Sequence, residues 1–279
     1  MTELESITVG KSSIPALIIT AVLMAAIPVV CFILRRKRHR ERTNIAYLIA
    51  GAVGFIVSAR VLELGVHYLC IMSDNAVSRF INGSTAAYVL YGTVTAGVFE
   101  ECGRHIILRY LMKKNRTREN AVMYGIGHGG IELLAVILPT MITYLAVAVL
   151  FSAGDRAAAL STLKITEETA AAALPSVRAA AAFDYAAMTM NVIERVFAML
   201  VHIGLTVIVF YGVVRSRKGC LPLAILLHMI VDTFPALCQR GAVPLWSVEV
   251  WAAAWTAVII LIAAKLYKGL KAQPEEAGE

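Results

Sequence analysis

The segment from Ser13 to Leu34, SIPALIITAVLMAAIPVVCFIL, contains no charged residue and is followed at once by RRKRHRER at 35–42. An apolar run of this length matches the roughly 20 residues that a helix needs to cross a bilayer. The whole chain has the same character, since 59% of its residues are hydrophobic and 16% are charged. A soluble domain carries about 25% charged residues. We therefore expect an all-α, polytopic membrane protein with little room for a soluble domain.

The basic residues predict how the chain is threaded through the membrane. Seven segments are predicted to form membrane helices: 13–34, 45–71, 84–112, 120–151, 188–214, 220–238 and 246–267. Basic clusters fall at alternate connections: 35–42, 113–118, 215–218, and Lys265, Lys268 and Lys271. By the positive-inside rule these connections face the cytoplasm, so the N-terminus lies outside and the C-terminus is cytoplasmic. This placement explains the net charge of +7, so we do not expect a nucleic acid as partner. We expect one integral domain over 1–279 in the cell membrane.

Two connecting segments have unusual composition. The outer connection at 153–187 is rich in alanine and is expected to form two short helices broken near Pro175. It would cover helix ends as a cap, with Glu167 and Glu168 on a solvated face, or move as a substrate-gating lid. The sequence GIGHGG at 125–130 predicts close backbone approach or local unwinding. A membrane tolerates unwound backbone only where it is buried in protein or faces water.

Ionisable residues recur within the predicted helices, although each costs about 2.5–3.5 kcal/mol at a helix centre on insertion scales. Counted from the nearest basic cluster, Glu100, His128, His202 and His228 lie 10 to 13 residues into the membrane. At about 1.5 Å per residue, four helices place polar groups in one layer at roughly 15–20 Å. A second set lies nearer the outer side and is expected to hold helices together as ion pairs: Arg60, Glu63, His67, Glu194 and Arg195.

The adjacent glutamates Glu100 and Glu101 should have different roles. Neighbouring helix positions point about 100° apart, and two adjacent carboxyl groups in a low dielectric cannot both ionise cheaply. One glutamate should face water and act as general base, taking a proton from water and returning it to a leaving amine. The other should pair with Arg104 or His105. Arg104 is expected to neutralise a glutamate, Glu100 at i,i+4 or Glu101, and to snorkel towards the cytoplasm.

The histidines of the layer suit two kinds of chemistry. They would orient water or stabilise an oxyanion beside a catalytic glutamate, with no cofactor required. Alternatively, three histidines and a carboxylate would form a zinc shell with an open position for water, so zinc is not excluded. The residues of that shell would be His128, His202, His228 and Glu101.

Two other classes of function remain open at this point. Chains of Glu, Asp and His inside membranes also serve as proton relays, which would make the protein a proton-coupled transporter or channel. Against this, the polar groups lie in one layer and no inverted repeat is visible. A non-catalytic immunity or scaffold protein would use the polar layer only to fix helix packing.

The motifs resemble a known group of proteins. A membrane-embedded EE…R motif, a histidine in a later helix and then HxxxD are similar to the CPBP superfamily, which includes the CAAX prenyl endopeptidases. The closer resemblance is to the YhfC-like branch of membrane peptidases. It rests on four motifs: FEECGR at 99–104, GHGGIE at 127–132, ERVFAMLVH at 194–202 and LLHMIVD at 226–232. Two features depart from the wider superfamily: EExxR replaces EExxxR, and Asp232 stands where the CAAX enzymes have asparagine. The first leaves open which glutamate is catalytic, and the second keeps metal binding open.

The resemblance implies an intramembrane endopeptidase of glutamic type that hydrolyses membrane-associated peptides or proteins in a water-filled cavity. Its catalytic helices would be helices 3 to 6, within 84–238, including the outer connection at 153–187. The implied catalytic residues are Glu100, Glu101, His202 and His228. The implied supporting residues are Arg104 for charge balance, Asp232 to orient His228, and His128 and Glu132 to complete the cavity wall.

Overall fold

The computed structural model of the protein describes residues 2–39 and 43–270, and every regular element in these two ranges is helical. In chain order, the helices are α1 (Thr2–Glu5), α2 (Ser13–His39), α3 (Ile45–Met72), α4 (Ala76–Gly83), α5 (Thr85–Ile106), α6 (Arg118–Ser152), α7 (Arg156–Thr162), α8 (Glu167–Ala181), α9 (Tyr185–Arg215), α10 (Cys220–Gln239) and α11 (Leu245–Lys268). A π-helical turn at Ile107–Leu111 extends α5, and π-helical stretches also occur within α3 and α6. The expected all-α class is confirmed.

All seven predicted membrane segments are helical. Six helices of the described chain are long and apolar enough to cross a membrane: α2, α3, α6, α9, α10 and α11. The remaining segment, α5, carries Glu100, Glu101 and Arg104, so its crossing stays a prediction, as does the orientation of the termini. Residues 40–42 of the first basic cluster and Lys271 of the last lie outside the described residues. The multi-pass membrane character of the chain is confirmed.

The described chain forms two compact units. The first unit comprises residues 2–27 and Leu133–Arg195, and the second comprises Pro28–Glu132 and residues 196–270. Helices α2, α6 and α9 each run through both units. The prediction of a single domain over 1–279 stays a prediction.

The outer connection in the first unit folds into two short helices, α7 and α8, but the predicted break near Pro175 is wrong. The break lies at 163–166, where Lys164 has a φ of 54° and Thr166 forms a capping box with Thr169 at the start of α8. Pro175 removes one backbone hydrogen bond, yet α8 continues through it because residues on both sides, Ala170 and Val177, are buried in the same apolar cluster. Both members of the acidic pair at 167–168 are exposed, as expected.

In the second unit, glycines bring α3 and α6 into direct backbone contact. A Cβ on Gly51 would lie 2.1 Å from the carbonyl oxygen of Tyr124, and a Cβ on Gly127 would lie 1.9 Å from that of Leu48. No larger residue fits at either position without separating the helices. The close approach predicted from GIGHGG is thus confirmed, and α6 stays α-helical through Glu132 before its π-helical turn.

The expected ion pairs between helices in the outer set of ionisable residues stay a prediction. Within the described chain, Glu63 pairs with His67 at 3.3 Å on α3, and Glu194 pairs with its neighbour Arg195 on α9. Each of these two pairs lies within a single helix, and the i,i+4 spacing of Glu63 and His67 is one at which helix side chains meet. His67 Nδ1 instead bonds the hydroxyl of Tyr91 on α5 at 2.9 Å, which links α3 to α5.

Candidate functional site

The predicted polar layer is assembled within the second unit from four helices. Glu100 comes from α5, His128 from α6, His202 from α9 and His228 from α10, and all four are buried. The ring centroids of His128 and His202 are 5.0 Å apart, and those of His202 and His228 are 5.9 Å apart. The common depth inferred from the sequence therefore corresponds to direct spatial proximity.

Glu100 lies at the focus of the three imidazole rings. Its Oε2 atom is 3.0 Å from His128 Nε2, and it is 4.0 Å from both His202 Nδ1 and His228 Nε2. One ring nitrogen of each histidine therefore approaches the same carboxylate oxygen. Glu100 is therefore the glutamate that faces the histidines.

Glu101 takes the other role, because its carboxylate is held by Arg104 and His228. Its Oε1 atom is 3.4 Å from Arg104 Nη2 and 2.9 Å from His228 Nδ1. The Arg104 side chain is fully buried, so it does not snorkel as expected. Its Nη1 instead donates to the carbonyl oxygen of His202 at 3.1 Å and to Thr206 Oγ1 at 3.0 Å. The pair formed is therefore i,i+3 rather than the i,i+4 alternative.

Two further carboxylates contact the outer parts of the histidines. Glu132 Oε2 is 2.6 Å from His202 Nε2, and Asp232 Oδ2 is 3.4 Å from His228 Nε2. Their side chains are 19% and 35% exposed, whereas that of Glu100 is 10% exposed. The cluster therefore reaches the surface of the unit through Glu132 and Asp232.

His128 is enclosed by aromatic rings as well as by glycines. Phe55 meets its ring edge-on at 5.3 Å, and Tyr124 stacks on it at 6.3 Å. Gly129 leaves space for the neighbouring imidazole, since a Cβ there would lie 3.1 Å from His202 Cδ2. The GHGGIE sequence thus fixes the position of one histidine against another.

All eight predicted site residues lie in this cluster, and one contributor was not predicted. Thr206 receives the Arg104 guanidinium and donates to the carbonyl oxygen of His202 at 2.7 Å. Its position four residues after His202, on the same helix face, is the sequence signal that marks it. A threonine in an apolar helix is otherwise unremarkable, because its hydroxyl commonly bonds the preceding turn.

The chain is similar in sequence to known membrane proteins. The chain matches, over residues 23–252, the protein family described as YhfC intramembrane metalloprotease. The chain belongs to this family. It is 27% identical over 256 residues to the uncharacterized membrane protein YhfC of Bacillus subtilis (strain 168). This alignment covers 92% of the present chain and 94% of that protein. No solved structure matches the chain.

Membership of the YhfC family agrees with the expectation of an intramembrane protease. The glutamic type and the wider CPBP superfamily stay predictions. The family is described as metalloproteases, which raises the question whether the side chains of the cluster fit a metal ion. Glu100, His128 and His202 each offer a ligand atom within 4.8 Å of the others. Imidazole and carboxylate groups are common zinc ligands, and catalytic zinc sites use three protein ligands with one open position.

The surroundings of His202 also fit a metal ligand. Ligating histidines usually have a carboxylate or carbonyl on the second ring nitrogen, which fixes the tautomer and directs the lone pair at the metal. Glu132 on His202 Nε2 leaves Nδ1 as the acceptor, 3.3 Å from Arg104 Nη2 and 4.0 Å from Glu100 Oε2. Glu101 on His228 Nδ1 leaves Nε2 facing Glu100. In the described chain His128 Nδ1 is buried without a hydrogen-bond partner. The predicted set differs in two ways, since it had Glu101 in place of Glu100 and also included His228. In the structure Glu101 is held by Arg104 and His228.

Proposed function

We propose that the protein hydrolyses peptide bonds of membrane-associated peptides or proteins at the cluster centred on Glu100. The observation that supports this is the approach of three histidine ring nitrogens to one buried glutamate oxygen, Glu100 Oε2. Hydrolysis needs an activated water molecule and a group that protonates the leaving amine. The cluster supplies residues for both tasks, and these residues lie among apolar helices.

The favoured form of the proposal is metal-assisted hydrolysis. Glu100, His128 and His202 would hold a divalent ion of the zinc class, for which their donor atoms are suited. A bound zinc ion would act as a Lewis acid on the peptide carbonyl and make water a stronger nucleophile. Glu132 would keep His202 in the tautomer whose Nδ1 carries the lone pair, on the side where Glu100 and Arg104 lie.

The remaining residues would position and move protons. His228 donates from Nδ1 to Glu101, so its Nε2 is directed at the space between Glu100 and Asp232. From there it can accept a proton when water attacks the carbonyl carbon. It can return that proton to the amine nitrogen when the C–N bond breaks. Asp232 is the most exposed member of the cluster and would hold His228 while allowing exchange with water.

A second candidate is the metal-free, glutamic mechanism, and one contact supports it. His128 Nε2 already lies within hydrogen-bond distance of Glu100 Oε2 at 3.0 Å. In this mechanism Glu100 would itself take the proton from water, with His202 and His228 orienting that water or stabilising the oxyanion. The two mechanisms share the same reaction and differ in the metal content that activity requires.

The test combines metal analysis with a cleavage assay. The full chain would be purified in detergent without chelators, and zinc would be measured by mass spectrometry in the wild type and in the His128→Gln and Glu100→Gln variants. The control is His67→Gln, a histidine on α3 that bonds Tyr91 outside the cluster. Cleavage of a quenched-fluorescent transmembrane peptide library in lipid nanodiscs gives activity.

The metal-assisted form predicts about one zinc per chain, lost in the two cluster variants and retained in the control, with activity following zinc. Activity in metal-free wild-type protein, lost in Glu100→Gln, would establish the glutamic form instead. Proton flux in proteoliposomes without cleavage of any peptide would overturn both forms and favour a transporter.

A further inference from the structure

A cleft of about 380 Å³ lies in the second unit, away from the residues of the catalytic cluster. It opens between the π-helical end of α5 and the connection from α9 to α10. Its polar lining consists of His105, Arg109, Tyr110, Ser216, Arg217 and Lys218. Its apolar lining includes Val209, Val213 and Leu221. The cleft thus combines a basic rim with an apolar wall.

The positive charge of this cleft is not balanced by the protein. None of its lining residues is acidic. Arg109, Arg217 and Lys218 are exposed, and among the described residues none of the three forms an ion pair. Arginine and lysine side chains held together without a carboxylate attract an anion, and arginine forms paired hydrogen bonds with phosphate oxygens.

The turn that carries two of these cations has a defined backbone. Ser216 has a φ of 53°, in the left-handed region, and the N–H of Arg217 donates to the carbonyl oxygen of Gly212 at 2.9 Å. A Cβ on Gly212 would lie 2.6 Å from Cys220 Cβ and 3.1 Å from the carbonyl oxygen of Arg217. The turn therefore packs directly on α9, which fixes where Arg217 and Lys218 leave the backbone.

The surroundings of the cleft are those of a membrane surface. Arg109 and the 215–218 cluster lie at the helix ends that the positive-inside pattern assigns to the cytoplasm. Beside them, Leu111 is 72% exposed and Tyr110 is 61% exposed. Exposed apolar and aromatic side chains next to cations are typical of the boundary between hydrocarbon and headgroups. An amphipathic ligand would place its charge on the rim and its apolar part along Tyr110 and Leu221, which line the cleft with accessible surface.

We propose that this cleft binds the phosphate group of an anionic membrane lipid, with Arg109, Arg217 and Lys218 as the contacts. Basic pockets between membrane helices on the cytoplasmic side are suited to anionic headgroups. Inorganic phosphate offers the same charge, but it leaves the apolar wall of the cleft without a contact. The lipid is therefore the ligand that uses the whole cleft. This proposal concerns binding and does not depend on the proposed peptidase activity.

The experiment measures lipid binding to the full chain purified in a neutral detergent. Phosphatidylglycerol, phosphatidylcholine and inorganic phosphate would be titrated separately, and binding would be followed by native mass spectrometry and by the midpoint of thermal unfolding. The test variant combines Arg109→Gln, Arg217→Gln and Lys218→Gln. The matched control combines Lys113→Gln, Lys265→Gln and Lys268→Gln, which removes three exposed charges outside the cleft on the same predicted side.

We expect phosphatidylglycerol to bind at least about tenfold more weakly to the cleft variant than to the wild type, since the three cations that attract its headgroup are removed. The control should retain wild-type binding, and phosphatidylcholine should bind weakly to all three proteins. Equal weakening in the control, or unchanged binding in the cleft variant, would overturn the proposal. Inorganic phosphate binding as tightly as the lipid would overturn the lipid as the ligand.

Discussion

Arg104 Nη2 lies 3.4 Å from Glu101 Oε1, and neither side chain has exposed surface. The same guanidinium donates to the carbonyl oxygen of His202 and to the hydroxyl of Thr206, so it joins α5 to α9. A buried charge requires both a counter-charge and hydrogen bonds. The sequence provides two glutamates, and this contact assigns one of them to Arg104. Glu100 is thereby left to face the histidines.

Removing Arg104 should destabilise the fold strongly. In Arg104→Met the Glu101 carboxylate would stay buried without its partner, which costs about 3–5 kcal/mol in buried pairs. The measurement is the free energy of unfolding in mixed micelles with increasing denaturing detergent. The control, Arg79→Met, removes a pair whose side chains are 66% and 87% exposed, and it should cost about 0–1 kcal/mol.

The double variant Glu101→Gln/Arg104→Met should recover part of the lost stability, because no unpaired carboxylate then remains buried. A cost for Arg104→Met no larger than that for Arg79→Met would show that Arg104 has no such structural role.

The membrane helices were predictable because each is specified by local sequence. The segment predicted at 45–71 is Ile45–Met72 in the structure, and the segment predicted at 220–238 is Cys220–Gln239. An apolar run ended by polar residues contains the information for such a helix. The shared depth of the histidines was also local information, because it follows from counting residues to a basic cluster.

The partner of Arg104 was not predictable from sequence. Both Glu100, at i,i+4, and Glu101, at i,i+3, lie within reach on one helix. The choice depends on how α5 is rotated against α9, where Thr206 and the carbonyl oxygen of His202 receive the guanidinium. The break at 163–166 was missed for a related reason, since the burial that carries α8 through Pro175 depends on tertiary packing.

The contact between α3 and α6 should not tolerate a single added methyl group at Gly51. In Gly51→Ala the Cβ would meet the backbone of Tyr124, which cannot move aside as a side chain could. We expect a loss of unfolding free energy of about 1–3 kcal/mol or more, the range for overpacked sites. The measurement is denaturant unfolding in the same micelles.

The matched control for Gly51→Ala is Gly65→Ala on the same helix, where nothing lies within 4 Å of the added Cβ. This change should leave stability unaltered or raise it by about 0.5–1 kcal/mol, since alanine favours a helix over glycine. Similar effects at the two positions would contradict the close approach of the helices.

The Glu132 carboxylate should act through His202. In Glu132→Gln the 2.6 Å contact with His202 Nε2 would lose its charge, and the tautomer that directs Nδ1 at Glu100 would be less favoured. Substitution of such outer partners typically lowers metal affinity or activity about 10–100-fold. We expect a loss of this size in zinc affinity, measured by competition with a chelator, and in cleavage rate.

The control for this prediction is Glu63→Gln, which also weakens a carboxylate contact with a histidine, His67, but outside the cluster. It should leave both zinc affinity and cleavage rate at wild-type values. Reduced stability in Glu132→Gln with unchanged zinc affinity would instead show that Glu132 only supports packing.

Two of the buried threonines, Thr206 and Thr256, should respond differently to replacement by valine. Thr206 accepts a hydrogen bond from the Arg104 guanidinium, and hydrogen bonds to charged groups are worth about 1.5–3 kcal/mol. Thr206→Val leaves that donor without one acceptor, so it should lower the unfolding free energy by about this amount.

The Thr256 hydroxyl is buried and has no hydrogen-bond partner in the described part of the chain, so Thr256→Val should be neutral or stabilising. Denaturant unfolding of both variants side by side measures the difference. Equal losses would show that the Arg104–Thr206 bond does not contribute to stability.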